Sequence, residues 1–133
     1  ESERGFHIRR GDTGPLLRSL LRLRHDLVII GRAVEQPLPA ALAPQFRAAG
    51  LAIQDYFKES AASLHLGRAA PDSSQVEQTI ITCTNAVESG RRAGELLDLS
   101  SDQLEHLFAL GFAMEQMRRN FGDLKRCINE WAD

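Results

Sequence analysis

At 133 residues, of which 43% are apolar and 26% charged, the chain can bury one real core and is too short for two comfortable domains. A net charge of -2 supplies no basic excess to neutralise phosphates, which disfavours a nucleic-acid partner. Cys83 and Cys127 stand far apart with no C-x-x-C pairing, a pattern that fits a reduced cytoplasmic domain better than a secreted one. No run approaches the roughly 20 apolar residues of a membrane span, and no signal-peptide pattern opens the chain.

Residues 1–14 mix charges with three glycines and hold no period, so they read as a tail or linker; the start at Glu1 without a Met is expected of a piece of something longer. Asp12 or Thr13 can cap a helix that begins at Pro15, a residue well suited to the first turn. Through 15–34, Leu16, Leu20, Leu23, Leu27, Ile30 and Val34 alternate in steps of four and three, which keeps them on one helical stripe. Pro37-Leu38-Pro39 ends that helix, because proline lacks an N–H and drives the residue before it out of helical geometry.

A second helix is predicted over 40–66, with Pro44 in or near its first turn and Leu42, Phe46, Ala49, Ile53 and Tyr56 on its stripe. Gly67 is placed to terminate it in the left-handed conformation. Asp72-x-x-Gln75 and Ser74-x-x-Glu77 are overlapping capping boxes that announce a third helix over 74–96. Its stripe is Val76, Ile80, Cys83, Val87 and Gly90, with Gly94 one step further, and the two glycines are expected to admit a neighbouring helix closely. Ser100-x-x-Gln103 caps a fourth helix over 101–131, whose rhythm of Leu107, Leu110, Met114, Met117, Phe121, Leu124, Ile128 and Trp131 is the most regular in the chain. Four helices joined by short turns, with no strand candidate, predict an all-α fold: an antiparallel up-down-up-down four-helix bundle over 15–133.

Chemistry is sparse. His7, His25, His65 and His106 form no i,i+4 pair and no H-E-x-x-H, the Glu-x-x-His pattern of di-iron bundles is missing, and no nucleophile elbow, phosphate loop or dinucleotide fingerprint occurs. No catalytic residue, metal or cofactor is therefore expected, and the protein is not read as an enzyme. On a helical wheel Arg24 projects near the middle of the apolar arc of the first helix, while Asp26 points away. An inward guanidinium requires a carboxylate partner, Glu115 being the first candidate and Glu88 the second; alternatively Arg24 lays its stem on the core edge and keeps its charge in water. The polar cluster so defined, Arg24, His25, Asp26, Arg32, Glu115 and Gln116, is the candidate binding site. Ile29, Phe108 and Phe112 lie off the main stripes and, if clustered, would form a docking face for another domain or subunit, a homo-oligomer included.

The run LLRSLLRLRHDLVIIGRAVEQPLP at 16–39 resembles a segment of the fusaric acid resistance family of bacterial inner-membrane proteins, the aromatic acid exporter group. The matching positions are Arg24, His25, Asp26, Leu27, Val28, Ile30, Gly31, Arg32 and Ala33, followed by Pro37-Leu38-Pro39. A weaker likeness covers LFALGFAMEQMRRNFGDL at 107–124, centred on Glu115-Gln116; the middle, 40–100, matches only in helical character. The resemblance implies a cytoplasmic domain, lying at the inner membrane between the transmembrane halves of its own parent chain. It also implies export of aromatic carboxylic acids or similar toxic compounds, alongside a periplasmic adaptor protein and an outer-membrane channel. It carries over no catalytic or substrate-binding residue, and the chain departs from the family in having no transmembrane span.

Two readings of other classes compete. One is a histidine phosphotransfer bundle using His25, since His25-Asp26-Leu27 faintly resembles a sensor-kinase phosphoacceptor box, although Val28, Ile29 and Ile30 follow where a polar residue and a Pro are usual. The other is a free-standing helical scaffold or adaptor.

Overall fold

The computed structural model describes residues 13–33 and 37–132, and these form four α-helices with no strand among them. The predicted tail at 1–12, with His7, and Val34 at the end of the first stripe lie outside the described residues. The helices are α1 (Gly14–Ala33), α2 (Ala43–Leu66), α3 (Ser74–Arg92) and α4 (Ser101–Ala132). They pack as a four-helix bundle in which α4 touches all three others, α2 lies against α3, and α1 rests chiefly on α4.

Local chemistry sets most of the boundaries. The Thr13 carbonyl accepts from Leu17 N at 2.9 Å, so Pro15 falls in the first turn of α1, where its missing N–H has no partner to lose. A tight turn from Pro39, whose carbonyl accepts from Leu42 N at 2.9 Å and Ala43 N at 3.0 Å, leads into α2 with Pro44 just inside it. The predicted box at Ser100 is complete, with Ser100 N donating to Gln103 Oε1 at 2.8 Å and Gln103 N to Ser100 Oγ at 3.1 Å.

Three local expectations need correction. At α3 neither predicted box closes: Asp72 accepts from Ser74 N at 3.1 Å and Ser74 Oγ at 2.7 Å, while the Ser73 hydroxyl donates to Glu77 Oε2 at 2.6 Å. Helix α3 also stops at Arg92 rather than 96. Gly94 takes φ +76°, Gly94 N donates to the Arg91 carbonyl and Glu95 N to that of Gly90, the paired bonds of a Schellman ending. Finally, Gly90 does not admit a neighbouring helix: a Cβ there would meet Glu95 and Leu96 of the connection that folds back over it. Buried Leu96 thereby closes that end of the core. The same pair of bonds ends α2, from Gly67 N to Leu64 O and Arg68 N to Ser63 O, with Gly67 at φ +65°.

The stripes of α2, α3 and α4 converge on Phe121, which is wholly buried. The Tyr56 ring lies 4.8 Å from it centroid to centroid, and Phe57 meets it edge-on at 5.6 Å, geometries that add to simple area burial. Ile80, Leu110, Met117 and Ile128 are as deeply enclosed. Cys83 sits in this core, where burial pushes its thiol up to about 12 and keeps it unreactive. Phe121→Ala is expected to lower stability by about 3–5 kcal/mol, since three helices cannot all collapse into the cavity. The midpoint of urea unfolding followed by circular dichroism measures it, and a shift equivalent to under about 1 kcal/mol would place the centre of the core elsewhere.

Candidate functional site

Helix α1 carries apolar residues around half its circumference but rests chiefly on one neighbour, and that mismatch shapes the site. The positions facing α4 are Ser19, Leu23 and Asp26, all buried, flanked by half-buried Leu16 and Ile30. Leu17, Leu20, Leu21, Leu27 and Val28 stay 40–55% exposed. Leu20 and Leu27, expected on the buried stripe, are therefore only partly covered, because α1 is turned to set its small and polar positions against α4.

Opposite Ser19 and Asp26, seven residues apart, stand Cys127 and Asn120 on α4, also seven apart, and Ala113 continues that series. Ser19 Oγ lies 3.9 Å from Cys127 Sγ, and Asn120 Nδ2 donates to Asp26 Oδ2 at 2.8 Å. A step of seven forward on α1 is a step of seven back on α4, so the pair is antiparallel. Between these contacts Arg22 reaches Asp123 at 3.2 Å and Ser19 Oγ at 3.4 Å. Small side chains let the two backbones approach, and the polar ones bond across the seam.

The structure thus inverts the expected roles of Arg24 and Asp26. Arg24 is exposed and Asp26 is 6% exposed. The wheel located the middle of the apolar arc correctly, but α4 covers one flank of that arc, so its middle, with Arg24, faces outward. Among the described residues neither predicted carboxylate forms an ion pair with it. Glu115 is held by Arg118 one turn on, with Arg119 at 4.0 Å, and Arg118 also approaches Glu77 of α3 at 3.9 Å. The Arg118 hydrogen bonds hold the Glu115 carboxyl below its ordinary value. Glu88 is taken by Arg91 and Arg92 on its own helix.

Beside the seam, α1 and α4 enclose an open groove of about 530 Å³. Its walls are Leu21 and Ile29 from α1 and Phe112 and Ala113 from α4, and its polar groups are Arg22, His25, Asp26, Gln116 and Asn120. Of the sequence-predicted residues, His25, Asp26, Gln116, Ile29 and Phe112 come together here. Arg24 and Arg32 point to solvent, and Glu115 lines a separate cleft between α3 and α4 with Phe108. Phe112 forms part of both cavities, so it is the ridge between them. Sequence reasoning missed Arg22 and Asn120. The signal for Asn120 was the seven-residue series Ala113, Asn120, Cys127, a small and polar line beside the aliphatic stripe of α4.

Burial raises the Asp26 carboxyl above its ordinary value, and the Asn120 hydrogen bond and the charges of His25 and Arg22 offset only part of that. Exposed His25 stands at the rim. Among the described residues, no group of three His, Cys, Asp or Glu side chains could hold a metal ion, and no helix is long and apolar enough to cross a membrane. The chain matches no family model, no curated protein and no solved structure.

Because the folded state binds the Asp26 proton more readily than the unfolded chain does, Asp26 favours folding most below the ordinary carboxylate range. That contribution is lost as pH rises through the raised folded value. Asp26→Asn keeps an acceptor for Asn120 and removes the buried charge, so it should raise the melting temperature at pH 7 and converge with the parent curve near pH 3. Thermal melts of both proteins across that range check it; a variant less stable at pH 7 would mean that the ionised carboxylate is itself a net stabiliser. Arg24→Ala, by contrast, should leave the denaturation midpoint unchanged within error.

Proposed function

We propose that this chain is a cytoplasmic domain of a bacterial inner-membrane efflux protein of the fusaric acid resistance type, serving assembly, regulation or substrate access in the export of aromatic carboxylic acids or similar toxic compounds. The support begins with the likeness at 16–39, whose R-H-D-L-V-x-I-G-R-A run lies on α1. The observation that carries it is the state of that helix: five large aliphatic side chains of α1 remain 40–55% exposed. Scattered single exposed hydrophobes are ordinary, but five on one 20-residue helix form a face suited to a partner. Covering them would contribute on the order of 1 kcal/mol each. A neighbouring part of a larger parent chain fits that face better than solvent does, which favours this reading over a free-standing scaffold.

In this reading α1 is the contact helix, and α2 and α3 brace α4 from the other side. The partners are the transmembrane halves of the parent chain and, through the whole transporter, a periplasmic adaptor and an outer-membrane channel. The decisive observation is the parent reading frame on both sides of Glu1 and Asp133. Several apolar runs of about 20 residues on each flank are expected. Cells lacking the gene should then accumulate fusaric acid or 4-hydroxybenzoate and recover on complementation with the whole gene, but not with one in which α1 carries Leu17→Glu and Val28→Glu. A reading frame without such runs would overturn the proposal, and so would unchanged accumulation in the deletion strain.

A further inference from the structure

We propose that the groove between α1 and α4 binds a small apolar compound bearing one protonated amine, its ammonium group against the Asp26 carboxylate and its body along Ile29, Ala113 and Phe112. The inference rests on the groove alone and stands apart from the exporter reading.

The cavity, about 530 Å³, falls within the range of small-molecule sites, which pair apolar walls with a few convergent polar groups. Apolar groups dominate these walls, and the one acidic side chain in the lining is Asp26. An ionised carboxylate has about four acceptor positions. Asp26 receives a single hydrogen bond from the protein, Asn120 Nδ2 to Oδ2, although only 6% of the residue is exposed. Among the described residues its other acceptor positions receive no hydrogen bond from the protein, and it lines the groove; a ligand ammonium carries three donors.

The neighbouring cations do not fill that role. The Arg22 guanidinium is committed to Asp123 and Ser19, and His25 is exposed at the rim. From α4 the groove receives the amides of Gln116 and Asn120, which bear no charge, and the next acid along that helix, Asp123, is the one that engages Arg22. An ammonium placed on Asp26 would form charge-assisted hydrogen bonds to a carboxylate whose residue is only 6% exposed. An anion of the same shape would meet Asp26 as a like charge, and a neutral alcohol would gain a hydrogen bond without the charge pairing. The site therefore selects cation over neutral over anion for a common apolar body.

The test uses the full chain and three matched probes, 2-(1-naphthyl)ethylamine, 2-(1-naphthyl)ethanol and 1-naphthylacetate, titrated calorimetrically at pH 7 with backbone amide shifts to locate binding. The amine should bind about tenfold or more tightly than either analogue, with shifts confined to 21–29 and 112–120. Asp26→Asn should reduce the amine's advantage over the alcohol to about twofold or less while leaving the alcohol's affinity in place. Phe112→Ala, which trims a side chain 67% exposed and outside the core, should weaken all three probes; it decides the matter if Asp26→Asn does not fold. The proposal is overturned by equal or tighter binding of the acid, by an amine preference that survives Asp26→Asn, by amine affinity unchanged in Phe112→Ala, or by absence of amine binding at about 5 mM.

Discussion

The hydrogen bond from Asn120 to Asp26 lies in the seam that attaches α1 to the rest of the molecule, and the arrangement of that helix depends on it. Helices α2, α3 and α4 share an aromatic and aliphatic core around Phe121, whereas α1 adheres along a line of small and polar residues. A slip of one turn would part Asn120 from the Asp26 carboxylate and cost the hydrogen bond that joins them. The pair thus fixes the register of α1 on α4 much as a buried polar residue fixes register in a coiled coil. Apolar packing around Leu23 supplies the adhesion, and the polar pair supplies the choice among possible alignments.

The same seam accounts for the exposed surface. A helix whose apolar arc spans half its circumference needs two neighbours to cover it, and α1 finds one substantial neighbour in α4. Turning Ser19 and Asp26 inward leaves Leu17, Leu21 and Val28 outward. It also opens the groove, since the side chains of α1 past Asp26 diverge from those of α4 past Asn120. One rotational choice therefore yields both an apolar face suited to a macromolecular neighbour and a pocket with a carboxylate at its polar end. The two adjoin at Leu21, which is exposed and also lines the groove, and both act on a helix whose main attachment is one seam.

The charged groups elsewhere follow simpler rules. Glu88, Glu115 and their arginines pair within single helix turns at the surface, where such bridges contribute little to stability. Arg24, exposed on α1, has no buried role to fill. Cys83 and Tyr56 are core side chains despite their polar atoms.

The sequence by itself determined the helices and the phase of three of them. The four-three rhythm in α2, α3 and α4 marks the buried side because each of those helices packs against at least two others, so the centre of its apolar arc has to be the centre of its contact. Glycine placement marked the end of α2, and the Ser100 box the start of α4, since these signals act through local backbone hydrogen bonds; α3, expected to continue to 96, ends instead before Gly94. Only the tertiary structure decided the facing of α1. A wheel shows where apolar residues lie but not how many neighbours will cover them, and with one neighbour the contact moved to the edge of the arc. That displacement exchanged the places of Arg24 and Asp26, joined His25, Ile29, Phe112 and Gln116 with Arg22 and Asn120, and separated Glu115 from them. Partners about a hundred residues apart, such as Asp26 and Asn120, leave no local trace, because what joins them is the packing of whole helices.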